Sequence, residues 1–201
     1  MAWTPDGKIV YYSCRNGRTD LWEMSGNGSN AQRLTNNNLS SSSAYPTVSP
    51  HGDFIAFTRY DGNGNANIWR MDMDGGSLKK LTQGWKDVRP AVSPDGQWVV
   101  FTSNQGGNYT LVRVPSEGGR PVQLTDYDSY YPSVSPNGKW IACYYISGEH
   151  QPSSLAILPF EGGPPAKVFP LPASFEDDYP IRWTPDGRAL SFINSVDDVS
   201  N

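Results

Sequence analysis

Residues Tyr45 to Thr82, YPTVSPHGDFIAFTRYDGNGNANIWRMDMDGGSLKKLT, form a unit that the chain restates several times with the same punctuation. Inside it, Tyr45 to Val48 reads as a short strand. Ser49-Pro50-His51-Gly52 has the makeup of a type I turn, with Ser at the first corner, Pro at the second and Gly at the fourth. The chain should reverse there. Phe54 to Thr58 then gives a second strand, Asn67 to Met71 a third and Leu78 to Thr82 a fourth. The stretches Asp61 to Asn65 and Asp74 to Ser77 supply the connections. Four antiparallel strands in succession make one meander sheet.

Outward from this unit, the turn prolines recur at Pro5, Pro50, Pro94, Pro136 and Pro185, spaced by 45, 44, 42 and 49 residues. That period is the size of a four-stranded propeller blade. Gly7, Gly52, Gly96, Gly138 and Gly187 keep step, and two residues after each a second strand begins: IVYYS, FIAFT, WVVFT, WIACY and ALSFI. These strands are apolar on both faces, as a sheet stacked between two neighbours requires. The third strands read DLWEM, NIWRM, TLVRV and SLAIL, followed by turns at Asn27-Gly28, Asp74-Gly75, Glu117-Gly118 and Glu161-Gly162. Leu34-Thr35, Leu81-Thr82, Leu124-Thr125 and Val168-Phe169 mark the fourth strands. No helical periodicity is present. The expected architecture is an all-β propeller of four-stranded antiparallel blades, about four and a half repeats long: 3–43, 44–87, 88–129, 130–177 and a partial 178–201. Both ends cut through a blade, so the chain is expected to be a segment of a larger protein.

Composition agrees. Twenty Gly and 17 Pro in 201 residues suit many short strands and turns, and 12% aromatic content is too high for disorder. A net charge of -4 without any Lys/Arg run argues against nucleic acid as a partner. No apolar run is long enough to cross a membrane as a helix, so no membrane contact by this segment is expected. Cys14 and Cys143 fall in second strands of different repeats and read as two free thiols.

The repeated residues resemble the TolB-like propeller repeat, roughly P-x-x-S-P-D-G, I-A-F, I-W, D-G-G and L-T. The match is carried by Pro46, Ser49, Pro50, Gly52, Ile55, Ala56, Phe57, Ile68, Trp69, Asp74, Gly75, Gly76, Leu81 and Thr82. Departures are His51 and Asn137 in place of the turn Asp, Leu111-Val112 and Leu155-Ala156 in place of Ile-Trp, and Val168-Phe169 in place of Leu-Thr. The resemblance implies a bacterial protein- or peptide-binding or sensor module. The later repeats look most similar to propellers appended to bacterial serine/threonine kinases. The same repeat also resembles the substrate-gating propeller of prolyl oligopeptidase-type serine peptidases, the alternative reading. By the same resemblance, an extracytoplasmic, periplasmic location is favoured.

Catalysis lacks a constellation. The histidines are His51, in a tight surface turn, and His150, in a Gly/Pro/Ser loop, and there is no G-x-S-x-G, kinase Gly-rich loop, H-R-D or D-F-G. The segment is expected to be non-catalytic, with no cofactor and no metal. Asp61, Asn63, Asn65, Asn67 and Asp72 imitate a calcium loop, yet the sixth position is Ala66 and the twelfth is Asp, so a Gly/Asn hairpin is the better account. The connections entering the inner strands should lie at one mouth of the central channel. Asp87, Ser129 and Asp177 stand three residues before Pro90, Pro132 and Pro180, and Arg89, Tyr131 and Tyr179 stand one before. Candidate contacts for a protein or peptide partner are therefore Asp87, Arg89, Asp128, Tyr131, Asp177 and Tyr179. An open array exposes strand edges, so self-association to close the ring is expected. Two copies could exchange the strand Tyr179 to Thr184. Alternatively, that strand could cross back beside Ile9 to Ser13 within one chain.

Overall fold

The turns form as their chemistry dictates. In the computed structural model, which describes residues 1–36, 41–84, 86–104, 106–148, 153–171 and 180–193, the Gly52 N–H donates to the Ser49 carbonyl at 2.9 Å. The same bond recurs from Gly7, Gly96, Gly138 and Gly187 at 2.8–3.0 Å. Ser49 Oγ also accepts from the Asp53 and Phe54 N–H groups at 2.8 and 3.1 Å, which launches the second strand. Gly52 has φ 73°, a left-handed conformation. A Cβ there would meet Pro5 Cδ of the preceding repeat at 3.4 Å, so glycine suits both the turn and the stacking of repeats.

Each turn joins an inner strand to a second strand, and the sheets run in chain order. The first contains β1 (Ala2–Trp3), β2 (Lys8–Arg15), β3 (Arg18–Ser25) and β4 (Gln32–Arg33). The second contains β5 (Ser42–Val48), β6 (Phe54–Tyr60), β7 (Ala66–Asp72) and β8 (Lys79–Lys80), and the third β9 (Asp87–Val92), β10 (Trp98–Ser103), β11 (Thr110–Pro115) and β12 (Val122–Gln123). The fourth is β13 (Ser129–Val134), β14 (Trp140–Tyr145), β15 (Ser154–Pro159) and β16 (Lys167–Pro170). A fifth sheet begins with β17 (Arg182–Trp183) and β18 (Leu190–Ser191). All pairings named here are antiparallel, and the described residues contain no helix.

The apolar second strands β6, β10 and β14 bury both faces because neighbours cover both, whereas β2 and β18, at the ends of the array, leave Tyr12 and part of the fifth strand exposed. On β6, Ile55 and Phe57 pack with Val10 and Leu21 of the first blade, while Phe54 and Ala56 pack with Val99 and Phe101 of the third. Alternation along one strand thus serves two cores. Arginines on the third strands link successive blades. Arg70 donates to the Ser116 carbonyl at 2.9 Å and pairs with Glu117, and Arg113 donates to Glu161 at 2.6 Å.

The fourth strands are shorter than the sequence suggests. β4, β8 and β12 end just before the Leu-Thr pairs, which do a different job. Leu34, Leu81 and Leu124 each donate an N–H to the third strand at 2.8 Å. The following Thr35, Thr82 and Thr125 hydroxyls accept from the Leu21, Ile68 and Leu111 N–H groups at 2.9–3.0 Å. The threonine replaces a strand residue as hydrogen-bond partner and so ends the strand. Val168-Phe169 offers no hydroxyl, and there β16 continues for four residues.

The alternative in which the last inner strand crosses back onto the first blade is not what the described part of that strand does. Arg182 and Trp183 pair with Ser191 and Leu190. The Thr184–Gly187 turn holds them there, and Trp183 Nε1 donates to the Ser133 carbonyl at 2.9 Å, docking the strand on the fourth blade. Tyr179 lies outside the described residues. Cys14 is exposed and Cys143 buried, both as free thiols.

Candidate binding site at the channel neck

Proline lacks an N–H, so an inner strand that carries one needs an irregularity at that point. Each complete inner strand described has one. Ala44 pairs with Thr58 and Thr47 with Ala56, leaving Tyr45-Pro46 opposite Phe57 alone. Arg89-Pro90 likewise faces Phe101, and Tyr131-Pro132 faces Cys143. These are two-against-one bulges, which re-aim side chains. The residue before each proline takes positive φ: 52° at Tyr45, 58° at Arg89 and 58° at Tyr131. An L-residue pays roughly 1–2 kcal/mol for this conformation, and a following proline ordinarily directs its predecessor to extended backbone. The same strained conformation recurs at three equivalent positions.

The bulges bring three side chains together. The Arg89 guanidinium carbon sits 3.7 Å from the Tyr131 ring centre and 5.1 Å from that of Tyr45. The Arg89 N–H is anchored by Thr58 Oγ1 of the preceding blade at 3.0 Å. Tyr12 extends the wall, 5.6 Å from Tyr45, and the buried Tyr144 backs Tyr131 at 5.7 Å in edge-to-face contact. Burial, with Tyr45 next to it, pushes the Tyr60 hydroxyl up to about 12, so it remains a neutral donor at physiological pH.

Tyr45, Arg89 and Tyr131 line two spaces at once. One is the central channel, about 850 Å³, walled by residues of the inner strands of all five sheets. The other, about 490 Å³, opens on the face that carries the loops and is lined also by Tyr60, Lys86, Thr102, Tyr109, Asp128 and Tyr130. The three residues therefore form a neck between mouth and channel. Among the described residues two buried polar atoms there have no hydrogen-bond partner: Arg89 Nε and Thr102 Oγ1.

Of the six residues expected at the mouth, the structure brings Arg89, Asp128 and Tyr131 to this pocket. Asp128 accepts from the Tyr109 N–H at 2.8 Å, which fixes the rim. Asp87 is buried: its carboxylate accepts from Ser103 Oγ at 2.6 Å and from the Gly84 N–H at 3.1 Å. A Cβ on Gly84 would lie 2.3 Å from that carboxylate, so glycine is needed for the approach. Asp177 and Tyr179 lie outside the described residues, as does His150. Sequence reasoning missed Tyr45, Tyr60 and Thr102. Tyr45 was findable, since it stands before Pro46 as Arg89 does before Pro90. The equivalents of Asp87 are Ser43 and Ser129, both fully buried, and a small polar residue in each repeat signals a buried cap. Asp61 is engaged within its own hairpin, accepting from Asn63 and Asn65. Among the described residues no cluster of three His, Cys, Asp or Glu is placed to hold a metal.

Residues 1–131 match the TolB beta propeller domain, and the chain belongs to that family. An uncharacterized protein of Agrobacterium fabrum is 27% identical over 136 residues, 63% of this chain and 46% of its own length. Tricorn protease homolog 1 of Streptomyces coelicolor is 32% identical over 120 residues, 57% of this chain and 11% of that protein. This chain thus spans less than half the length of either relative. TolB of Acinetobacter baumannii superposes on 94% of the chain with TM-score 0.79 and 26% identity, using 46% of its own chain. A prolyl endopeptidase shares the fold alone, with TM-score 0.64 and 13% identity over 91% of this chain and 30% of its own.

Proposed function

We propose that this propeller is a non-catalytic module that binds a protein or peptide at the loop-side mouth of its channel, within a larger bacterial protein. The observation that carries the reading is the threefold bulge, which strains Tyr45, Arg89 and Tyr131 in order to present them at one neck. Strained residues on a rigid scaffold, beside a channel with aromatic walls, suit recognition of an extended segment. Membership of the TolB family supports a protein-binding role and an extracytoplasmic location. A serine/threonine kinase is the parent favoured by the later repeats. Pairing of two copies through the open first and fifth sheets accompanies this reading, since exposed edges invite partners.

Selection from a random-peptide library tests it. Enriched peptides are expected to lose at least about tenfold in affinity when Tyr131 and Asp128 are replaced by Ala, an ordinary loss for interface anchors. Equal binding by that variant, or peptidase or kinase turnover by the purified chain, overturns the reading.

A further inference from the structure

The loop-side pocket holds donors that lack acceptors. Arg89 lies with its guanidinium stacked on Tyr131, its Nε is buried without a hydrogen-bond partner, and no carboxylate among the described residues forms an ion pair with it. Thr102 is 1% exposed, and its hydroxyl, which lines the same pocket, also has no partner. Arg70 and Arg113, by contrast, are each answered by a glutamate. Among the described residues the Arg89 cation is stacked on ring faces and paired with no carboxylate, which compensates it incompletely, and a buried hydroxyl left unpaired costs about 1–3 kcal/mol.

We infer that the neck binds a carboxylate of a peptide ligand, seated on the Thr102 hydroxyl and on the Arg89 guanidinium that the rings of Tyr45 and Tyr131 flank. This rests on the peptide-binding reading above and supplies its chemistry. The stacked guanidinium presents a planar fork of donors suited to a carboxylate, and Lys86 adds positive charge to the same pocket. A polyanion or phosphate fits less well. Phospho-recognition uses clusters of arginines, whereas here one arginine stands among tyrosines in a protein of net charge -4. A cationic ligand is disfavoured because Arg89 already occupies the space between the rings. The carboxylate could be a chain terminus or an acidic side chain, and both present the same group.

The test titrates the whole chain, with tyrosine ring NMR signals as the readout. The probes are N-acetyl-phenylalanine, its amide, N-acetyl-aspartyl-phenylalanine amide and inorganic phosphate. One or both carboxylate probes should bind saturably and the simple amide about ten- to hundredfold more weakly, the value of a charged hydrogen bond. Which acid wins distinguishes terminus from side chain. Arg89→Lys should weaken the acid about tenfold, because lysine keeps the charge and loses the fork. Thr102→Val should weaken it several-fold while leaving Tm equal or higher, since an unpaired hydroxyl is replaced by an isosteric methyl. Equal binding of acid and amide, tighter binding of phosphate than of either acid, or wild-type affinity in both variants would overturn the inference. Should Arg89→Lys not fold, Thr102→Val alone decides. If library-selected peptides need Tyr131 but show no preference for an acid, the peptide-binding reading stands and the carboxylate falls. If they do not need Tyr131, both fall.

Discussion

The two ends of each inner strand are built to opposite standards. At the turn end, Ser49 and its equivalents Ser93 and Ser135 use backbone and hydroxyl together to satisfy the reversing chain, and Gly52, Gly138 and Gly187 rest near a proline of the previous blade. At the neck end, four residues before each serine, the backbone is left-handed before proline, and two buried polar atoms are unanswered among the described residues. Local satisfaction at one end holds the blades. Its absence at the other is tolerated because the blades are held, and on the proposed function it leaves side chains poised for a partner. The proposed function thus assigns stability to one end of the strand and recognition to the other.

Asp87 tests where this boundary runs. It sits at the neck end of β9 yet is buried and bonded like a turn residue. Asp87→Ala should cost about 2–4 kcal/mol, because it strands the Ser103 hydroxyl and the Gly84 N–H. Urea denaturation measures it. Asp128→Ala, on the partly exposed rim, should stay within about 0.5 kcal/mol in the same assay while weakening peptide binding. Equal stability losses would erase the distinction.

At the turn end, Ser49→Ala removes an acceptor shared by two N–H groups. It should cost about 1–2 kcal/mol without changing ligand affinity. A drop in affinity at unchanged stability would mean that the two ends are coupled.

Smaller still is the acid response of the inter-blade pairs. Donation from Arg70 holds the Glu117 carboxyl below its ordinary 4.5, and Arg113 does the same for Glu161. A lowered folded value stabilises the protein above the unfolded value and is lost as pH falls through the folded one. Stability should therefore decline as pH drops below about 4.5, and Glu117→Gln with Glu161→Gln should flatten part of that decline. Both glutamates are mostly exposed, so solvent screening keeps each effect at or below about 0.5 kcal/mol. A variant with the same acid slope as the parent would contradict the assignment.

The sequence shows most of the turn end and little of the neck. Ser/Thr-Pro-x-Gly turns and apolar second strands are local signals: all five turns form, and the strand that follows was read correctly in the first four repeats, whereas of the expected Ala189 to Ile193 only Leu190–Ser191 is a strand. The Leu-Thr pairs were visible as marks, but their action was not: Thr82 bonds to Ile68, 14 residues back, and only the folded sheet brings them together. The neck runs against local expectation. A residue before proline should be extended, and Tyr45, Arg89 and Tyr131 are left-handed because three blades jointly impose the bulge. Asp87 was read as a mouth residue because its charge drew attention, whereas its buried partners come from a loop and a neighbouring strand.

Hydrogen exchange of the chain with and without a library-selected peptide tests the separation most directly. The account predicts added protection across 43–48, 86–92 and 128–134, with the turns at 49–53, 93–97 and 135–139 unchanged. Protection confined to those turns, or to the outer edges of the blades, would contradict it.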